Sequence, residues 1–202
     1  AADYRAVGVE RLFMTVFRFP EGGDTLPRPG ESTRAFLVRI AAGMTADHWK
    51  RNAEFLNRTA AALKREGLAL GYHNHNLEFA PVDETTGFDI LLRATDPDLV
   101  SFQLDVGWAA AAGQTPAQIL ARSPRRYTAL HLKDIKPETR PNFVLEQLPT
   151  PVGSGSVDWR ALLRVALSQG VRDLYVEQEP PFPGSRLDAA AASYRFLRAL
   201  RA

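Results

Sequence analysis

Cysteine is absent from this chain. Its absence excludes disulfides and thiolate-held metals. Any bound ion must therefore rest on His, Asp, Glu, carbonyl or water, a donor set that suits Mn, Mg, Co or an all-nitrogen-and-oxygen Zn site. No apolar run approaches the roughly 20 residues needed to cross a bilayer, so no membrane partner is expected. No signal peptide is visible, which points to the cytoplasm. The chain does begin at Ala1 rather than at a methionine, leaving room for a leader upstream. Dense Lys/Arg runs are missing too. With 25 basic and 23 acidic residues the formal net charge is +2, and the pI of about 9.1 reflects a small Arg excess. No nucleic-acid face is expected. There is no linker, low-complexity segment or sequence repeat.

What remains is an ordinary globular composition. Over 202 residues, 45% are hydrophobic and 24% charged. That is enough for a substantial core and predicts one domain spanning residues 1–202.

Strand and helix patterns alternate along it. Residues 1–7 resemble the tail of a helix, and 9–17 (VERLFMTVF) have high β-propensity. Residues 18–31 are a Gly/Pro loop, and 32–42 give a weak helix pattern. The clearest helix covers 45–66, with Thr45 as N-cap, one apolar face through Trp49, Ala53, Leu56, Ala60 and Leu63, and Gly67 after its end. Its histidine, His48, is expected to be solvated. Then come a strand over 68–73, a helix at 88–94, a strand at 99–105 and a helix from Pro116 to about Arg122. A strand at 127–132, a Pro-rich loop over 133–156 and a helix over 159–169 capped by Asp158 come next. A strand at 172–177 and a helix over 186–201 close the chain. This alternation predicts a parallel α/β sheet with right-handed crossovers.

The polar residues collect at strand ends. One strand runs into His73-Asn74-His75-Asn76 and Glu78. Others end at Gln103-Leu-Asp105 with Trp108 close behind, at His131-Leu-Lys133-Asp134, and at Glu177-Gln-Glu179. Strand alternation puts Gln103 with Asp105, His131 with Lys133, and Glu177 with Glu179 on common faces. In a parallel βα protein all strand C-termini share one side, where barrel enzymes keep their active sites. Asp105, His131, Glu177 and His73 can thus converge as a site for a divalent cation. Singly, each has a plain alternative as a turn, cap or hydrogen-bonded residue. Gly153-Ser154-Gly155 fits either a phosphate cradle of backbone amides or a simple turn. Trp108 and Trp159 fit either the wall of a sugar site or ordinary packing.

The runs GYHNHNLEF, LDVGW, HLKD, GSGSVDW and VEQE resemble the xylose isomerase-like TIM-barrel superfamily. This is the group of sugar phosphate isomerases/epimerases that shares its fold with the AP endonucleases. The resemblance covers most of the chain and implies an α/β fold, a (β/α)8 TIM barrel. On this reading the strand at 9–17 is about the fourth of the barrel. Only about five of eight βα units would be present, from the C-terminal part of the barrel. An open sheet, an exposed hydrophobic flank and association into homo-oligomers are then expected.

The resemblance also implies a divalent metal held by Glu, Asp, His and Glu. Asp105, His131 and Glu177 match the last three, while His73 stands where the common motif has glutamate. A similar His-rich motif occurs in inosose dehydratase-like members. The implied chemistry is proton abstraction beside a carbonyl, giving isomerisation or epimerisation, or dehydration in the inosose dehydratase-like branch. Glu177 is the expected base, with His73 or Lys133 handling the second proton. His75, Glu78, Trp108 and Glu179 are expected to touch a small sugar or polyol substrate. Two alternatives remain, a non-catalytic carbohydrate-binding protein on a decayed barrel and a phosphodiesterase of the AP endonuclease kind.

Overall fold

A computed structural model describes residues 2–22 and 24–200. They form two compact units. One runs to Phe102 and includes Phe143–Leu145; the other comprises Gln103–Asn142 and the chain from Glu146 onward.

The first unit opens with α1 (Ala2–Ala6) and β1 (Arg11–Met14). β1 is shorter than the apolar run that contains it. Its four residues pair in parallel with Ala69 to Tyr72 of β2 (Ala69–His73), and the strand ends with that pairing. The described residues of the 18–31 segment, 18–22 and 24–31, form a loop, as its Gly and Pro content predicts. It is tied down by Arg39, whose guanidinium reaches both Glu31 carboxylate oxygens and the carbonyls of Asp24 and Leu26. Arg39 lies on α2 (Thr33–Ala42), which starts at a Ser32 N-cap.

In α3 (Ala46–Arg65) the expected Thr45 cap is present, and Trp49, Ala53, Leu56 and Ala60 are buried. His48, expected to be solvated, is half-exposed and also completes a capping box. Its Nδ1 accepts the Thr45 backbone N–H at 3.1 Å, the task usually given to Glu or Gln. After β2 come a 3-10 turn (Leu77–Phe79), a small hairpin of β3 (Pro81–Val82) and β4 (Thr85–Thr86), and α4 (Gly87–Ala94). Phe79 stacks on Phe88 at 4.6 Å, anchoring the turn on α4. β5 (Val100–Asp105) begins here, and the strand order is β1-β2-β5.

The second unit carries the end of β5 and continues through α5 (Val106–Ala111), α6 (Pro116–Arg122) and β6 (Tyr127–Leu132). Next come β7 (Asp134–Ile135), β8 (Pro149–Thr150), α7 (Trp159–Ser168), β9 (Asp173–Val176) and α8 (Arg186–Ala199). The strand order is β5-β6-β9, with β6 and β9 parallel. The stretch expected to be all loop holds the antiparallel β7–β8 pair. The exposed flank expected from the open sheet lies on β9. Leu174, Tyr175 and Val176 are 37–49% exposed, and β6 is its one strand neighbour among the described residues. Five strands therefore make the main sheet pairings, an incomplete barrel set of the α/β type.

Candidate active site

Three strand ends of the second unit build the charged cluster. At the end of β5, Asp105 is fully buried. Its Oδ1 accepts the Trp108 backbone N–H at 2.8 Å, so the residue is also the N-cap of α5. Asp105 Oδ2 faces Lys133 Nζ at 3.2 Å and His131 Nδ1 at 3.8 Å. His131 on β6 and Lys133 just past its end, two residues apart, point the same way, as the period-two repeat requires. His131 Nδ1 lies 2.9 Å from Glu177 Oε2. Lys133 Nζ lies 3.0 Å from the same oxygen and 2.7 Å from Glu179 Oε1. The structure thus brings together Asp105, His131, Lys133, Glu177 and Glu179.

Their charges are strongly coupled. Burial works against protonation of His131, but Asp105 and the hydrogen-bonded Glu177 outweigh it and lift its pKa to about 9. Lys133 is almost wholly buried. Desolvation again opposes its charge, yet Asp105, Glu179 and Glu177 hold the ammonium well above the usual lysine range. For Glu177 the His131 hydrogen bond is the largest influence. With Lys133 it overcomes the opposing effect of burial and holds the carboxyl at about 2.

Trp108 is 5% exposed, and the Lys133 ammonium sits 5.1 Å over its ring. That contact is a cation–π interaction, and the indole packs beneath the cluster. Gln147, unremarkable in the sequence, donates from Nε2 to Glu179 Oε2 at 2.7 Å. It lies on an irregular loop, where no periodicity could have marked it.

The first unit orders the histidine-rich turn after β2. His73 is buried, and its ring meets that of His75 edge-on at 5.1 Å. Glu78 is 1% exposed and accepts from Tyr72 Oη at 2.7 Å and from the His75 backbone N–H at 2.9 Å. Burial, then the Glu78 charge, push the Tyr72 hydroxyl pKa well above its ordinary value, so it stays a donor. Glu78 therefore holds the turn that carries His73 and His75. A cleft of about 400 Å³ in this unit, lined by Arg18, His48, Arg51 and Arg58 among others, contains none of the site residues expected from the sequence.

Asp134 plays a different part. Its carboxylate accepts five N–H groups: Gly153 (2.9 Å), Gly155 (3.1 Å), Val157 (3.3 Å), the Trp159 indole (2.7 Å) and Ile135 (2.9 Å). The Gly/Ser turn's amides are thus engaged by the protein's own carboxylate. Trp159, 3% exposed, is packed and gives its polar edge to Asp134.

The donor set of the cluster fits a divalent cation. Asp105 and Glu177 each face the His131 ring, and a positive group, the Lys133 ammonium, already lies against both carboxylates. No helix among the described residues is long and apolar enough to cross a membrane.

The inosose dehydratase of Clostridium botulinum (strain Alaska E43 / Type E3) is 28% identical over 147 residues, 66% of this chain and 49% of that protein. That of Bacillus anthracis (strain CDC 684 / NRRL 3495) is 34% identical over 94 residues, 46% of this chain and 31% of that protein. The chain spans about half the length, or less, of these curated relatives. Among solved structures, a sugar phosphate isomerase/epimerase from Parabacteroides distasonis ATCC 8503 superposes with a TM-score of 0.68 at 25% identity. The match covers 94% of this chain and 70% of that one. The family described as xylose isomerase-like TIM barrel matches residues 15–200, and the chain belongs to it.

Proposed function

We propose that this protein is a divalent-metal-dependent enzyme that removes a proton next to a carbonyl of a sugar, keto-sugar or cyclic polyol. The observation that carries this reading is the His131 ring set between two carboxylates, Asp105 at 3.8 Å and Glu177 at 2.9 Å, at neighbouring strand ends. These three would hold the ion, with His73, at the end of β2, as fourth ligand by its place in the motif. Mn, Mg, Co and Zn all suit such donors. Bound there, the ion would supply Lewis-acid polarisation of the carbonyl beside the C–H bond that breaks.

The chain's own residues do the rest. A ligating imidazole must be neutral, so His131 gives up its proton and its hold on Glu177. Glu177, also within 3.0 Å of the Lys133 ammonium, would serve as the base that takes the substrate α-proton. Lys133, held charged by its carboxylates, donates hydrogen bonds to the developing oxyanion. Glu179 orients Lys133, and Gln147 orients Glu179. Glu78 fixes the turn that presents His73 and His75 to the substrate. Trp108 forms the apolar floor under Lys133.

Returning the proton to a different carbon or face gives isomerisation or epimerisation. Expelling a β-hydroxyl instead gives dehydration, and the inosose dehydratase relatives favour this second outcome. Both share the first step, which the decisive experiment reads. Metal-dependent exchange of a substrate α-proton with solvent deuterium is expected, slowed about 10²–10⁴-fold in Glu177→Gln. Phosphodiester turnover without exchange on any keto-sugar would overturn the proposal.

A further inference from the structure

The cleft beside α3 lies wholly in the first unit, between the loop after β1 and one face of the helix. His48, Arg51, Phe55 and Arg58 are spaced three or four residues apart, so they line up along that face. Its volume of about 400 Å³ falls in the range of about 300–1,000 Å³ that small-molecule pockets span.

The walls are held in place without a ligand. Asn52 is 5% exposed and clamps the loop by its main chain. Its Oδ1 accepts the Arg18 N–H at 2.6 Å, and its Nδ2 donates to the Arg18 carbonyl at 3.0 Å. From there Arg18 reaches over the Phe55 ring, 5.3 Å from its centre. Phe19, the next residue, meets Phe17 and Phe36 edge-on at 6.0 and 5.2 Å. It gives the cleft an apolar wall that a ligand need not order on binding.

The charge of the cleft is unbalanced. Three guanidiniums, those of Arg18, Arg51 and Arg58, share it with two carboxylates, Glu21 and Glu54. Arg18 pairs with Glu21 at 2.8 Å and Arg58 with Glu54 at 3.9 Å. The two glutamate side chains are 85% and 66% exposed, and ion pairs so open to water contribute little. A better anion therefore displaces them at small cost. Among the described residues the Arg51 side chain has no hydrogen bond or ion pair. His48 adds a further donor. Its Nδ1 accepts the Thr45 N–H, which in the neutral ring places the proton on Nε2.

These donors discriminate between anions. A carboxylate brings two oxygens and one charge, which a single guanidinium fork satisfies. A phosphate monoester brings three oxygens and about 1.5–2 negative charges at neutral pH. It can engage several forks at once. A bare inorganic ion would leave the Phe19 wall unused.

We propose that this cleft is a second ligand site, for a small phosphate monoester with a planar or apolar body. The phosphate meets Arg51, Arg58 and Arg18, and the body rests on Phe19. The site shares no residue with the strand-end cluster, and the inference does not depend on the function proposed for that cluster.

Phenyl phosphate is the probe, titrated into chelator-treated protein at constant ionic strength. Inorganic phosphate, benzoate and benzyl alcohol are the controls. Phenyl phosphate should bind saturably, raise the melting temperature, and bind about tenfold or more tightly than any control. Arg51→Ala should weaken it by about tenfold or more. Without ligand that variant should melt with the parent, because Arg51 has no partner to lose. Glu177→Gln, in the other unit, should bind the probe as the parent does. Absence of saturable binding, or equal binding by the parent and Arg51→Ala, would overturn the site. Benzoate binding as tightly as the probe would overturn the phosphate, and inorganic phosphate doing so would overturn the organic body. Binding lost in Glu177→Gln but kept in Arg51→Ala would put the probe at the charged cluster and overturn the inference. None of these readouts needs turnover, so failure of the enzymatic reading leaves them unchanged.

Discussion

Lys133 and Asp134 are neighbours in the chain and carry opposite charges into opposite kinds of environment. Asp134 accepts five N–H groups and is buried among them. Every donor has one purpose, and the arrangement leaves the carboxylate nothing further to do. Lys133 faces three carboxylates, Asp105, Glu177 and Glu179, with His131 competing for Glu177. There three carboxylates face two basic groups, an imbalance that the proposed divalent ion would meet. The difference teaches how to sort buried charges: a saturated one maintains a loop, while an unbalanced cluster is poised for a ligand.

The comparison breaks most visibly at Lys133. Lys133→Met keeps the bulk and removes the charge, leaving buried carboxylates unpaired, which costs about 3–5 kcal/mol. A divalent ion should restore much of this, because it supplies the missing positive charge. Chemical denaturation with and without added Mn checks both halves. A variant as stable as the parent in chelator would show that Lys133 is not what balances the cluster.

Asp134→Ala probes the saturated side. It strands several buried N–H groups, each costing about 1–3 kcal/mol, with relaxation of the loop recovering part of the sum. A loss of about 3 kcal/mol is expected, and divalent ions should not restore it. Rescue of this variant by Mn would erase the distinction between the two sites.

A smaller effect is expected at Gly155→Ala. The methyl would press on Asp134 and the Ile135 carbonyl, and overpacking of this kind costs about 1–3 kcal/mol. Hydrogen exchange at Gly153 and Val157 should quicken along with the loss. Unchanged protection at both amides would mean that the loop accommodates the methyl without loosening from Asp134.

How much of this the sequence discloses depends on range. Period-two alternation is local, so His131 with Lys133 and Glu177 with Glu179 were legible at their strand ends, and the structure brings them together with Asp105. The five main strands were legible for the same reason, though β1 proved shorter than its β-propensity suggests. The Asp134 clamp was not legible. It depends on how a Gly-rich turn some 20 residues later folds back, and the same Gly-Ser-Gly suits an open cradle or a filled one. The α5 helix was hidden because LDVGW reads as the end of a strand, whereas Asp105 both ends β5 and caps the helix after it. β7 and β8 escaped because two-residue strands are too short for any periodicity. His48 read as solvated because only the folded N-terminus of α3 gives its Nδ1 a donor.

The smallest predicted effect sharpens the comparison through pH. In chelator-treated protein, Glu177 has a folded pKa of about 2 against an ordinary 4.5. Its contribution to stability is therefore full above about 4.5 and is lost as pH falls toward 2. His131 has the opposite sign, with a folded pKa of about 9 against 6.5. Its contribution is full below about 6.5 and is lost as pH rises through 9. Stability from this pair should thus form a plateau between about pH 4.5 and 6.5, with a gentle decline on each side. Both residues are partly exposed, so solvent keeps the amplitude small. Glu177→Gln should remove the acid limb and move the alkaline limb to lower pH, because His131 loses a partner that holds its proton. Divalent ions should stabilise more strongly toward alkaline pH, where His131 is already neutral and free to ligate. Melting temperatures across pH 3–10, with chelator and with Mn, read all of these changes. An alkaline limb that stays in place in Glu177→Gln would show that the two residues are not coupled as their 2.9 Å contact implies.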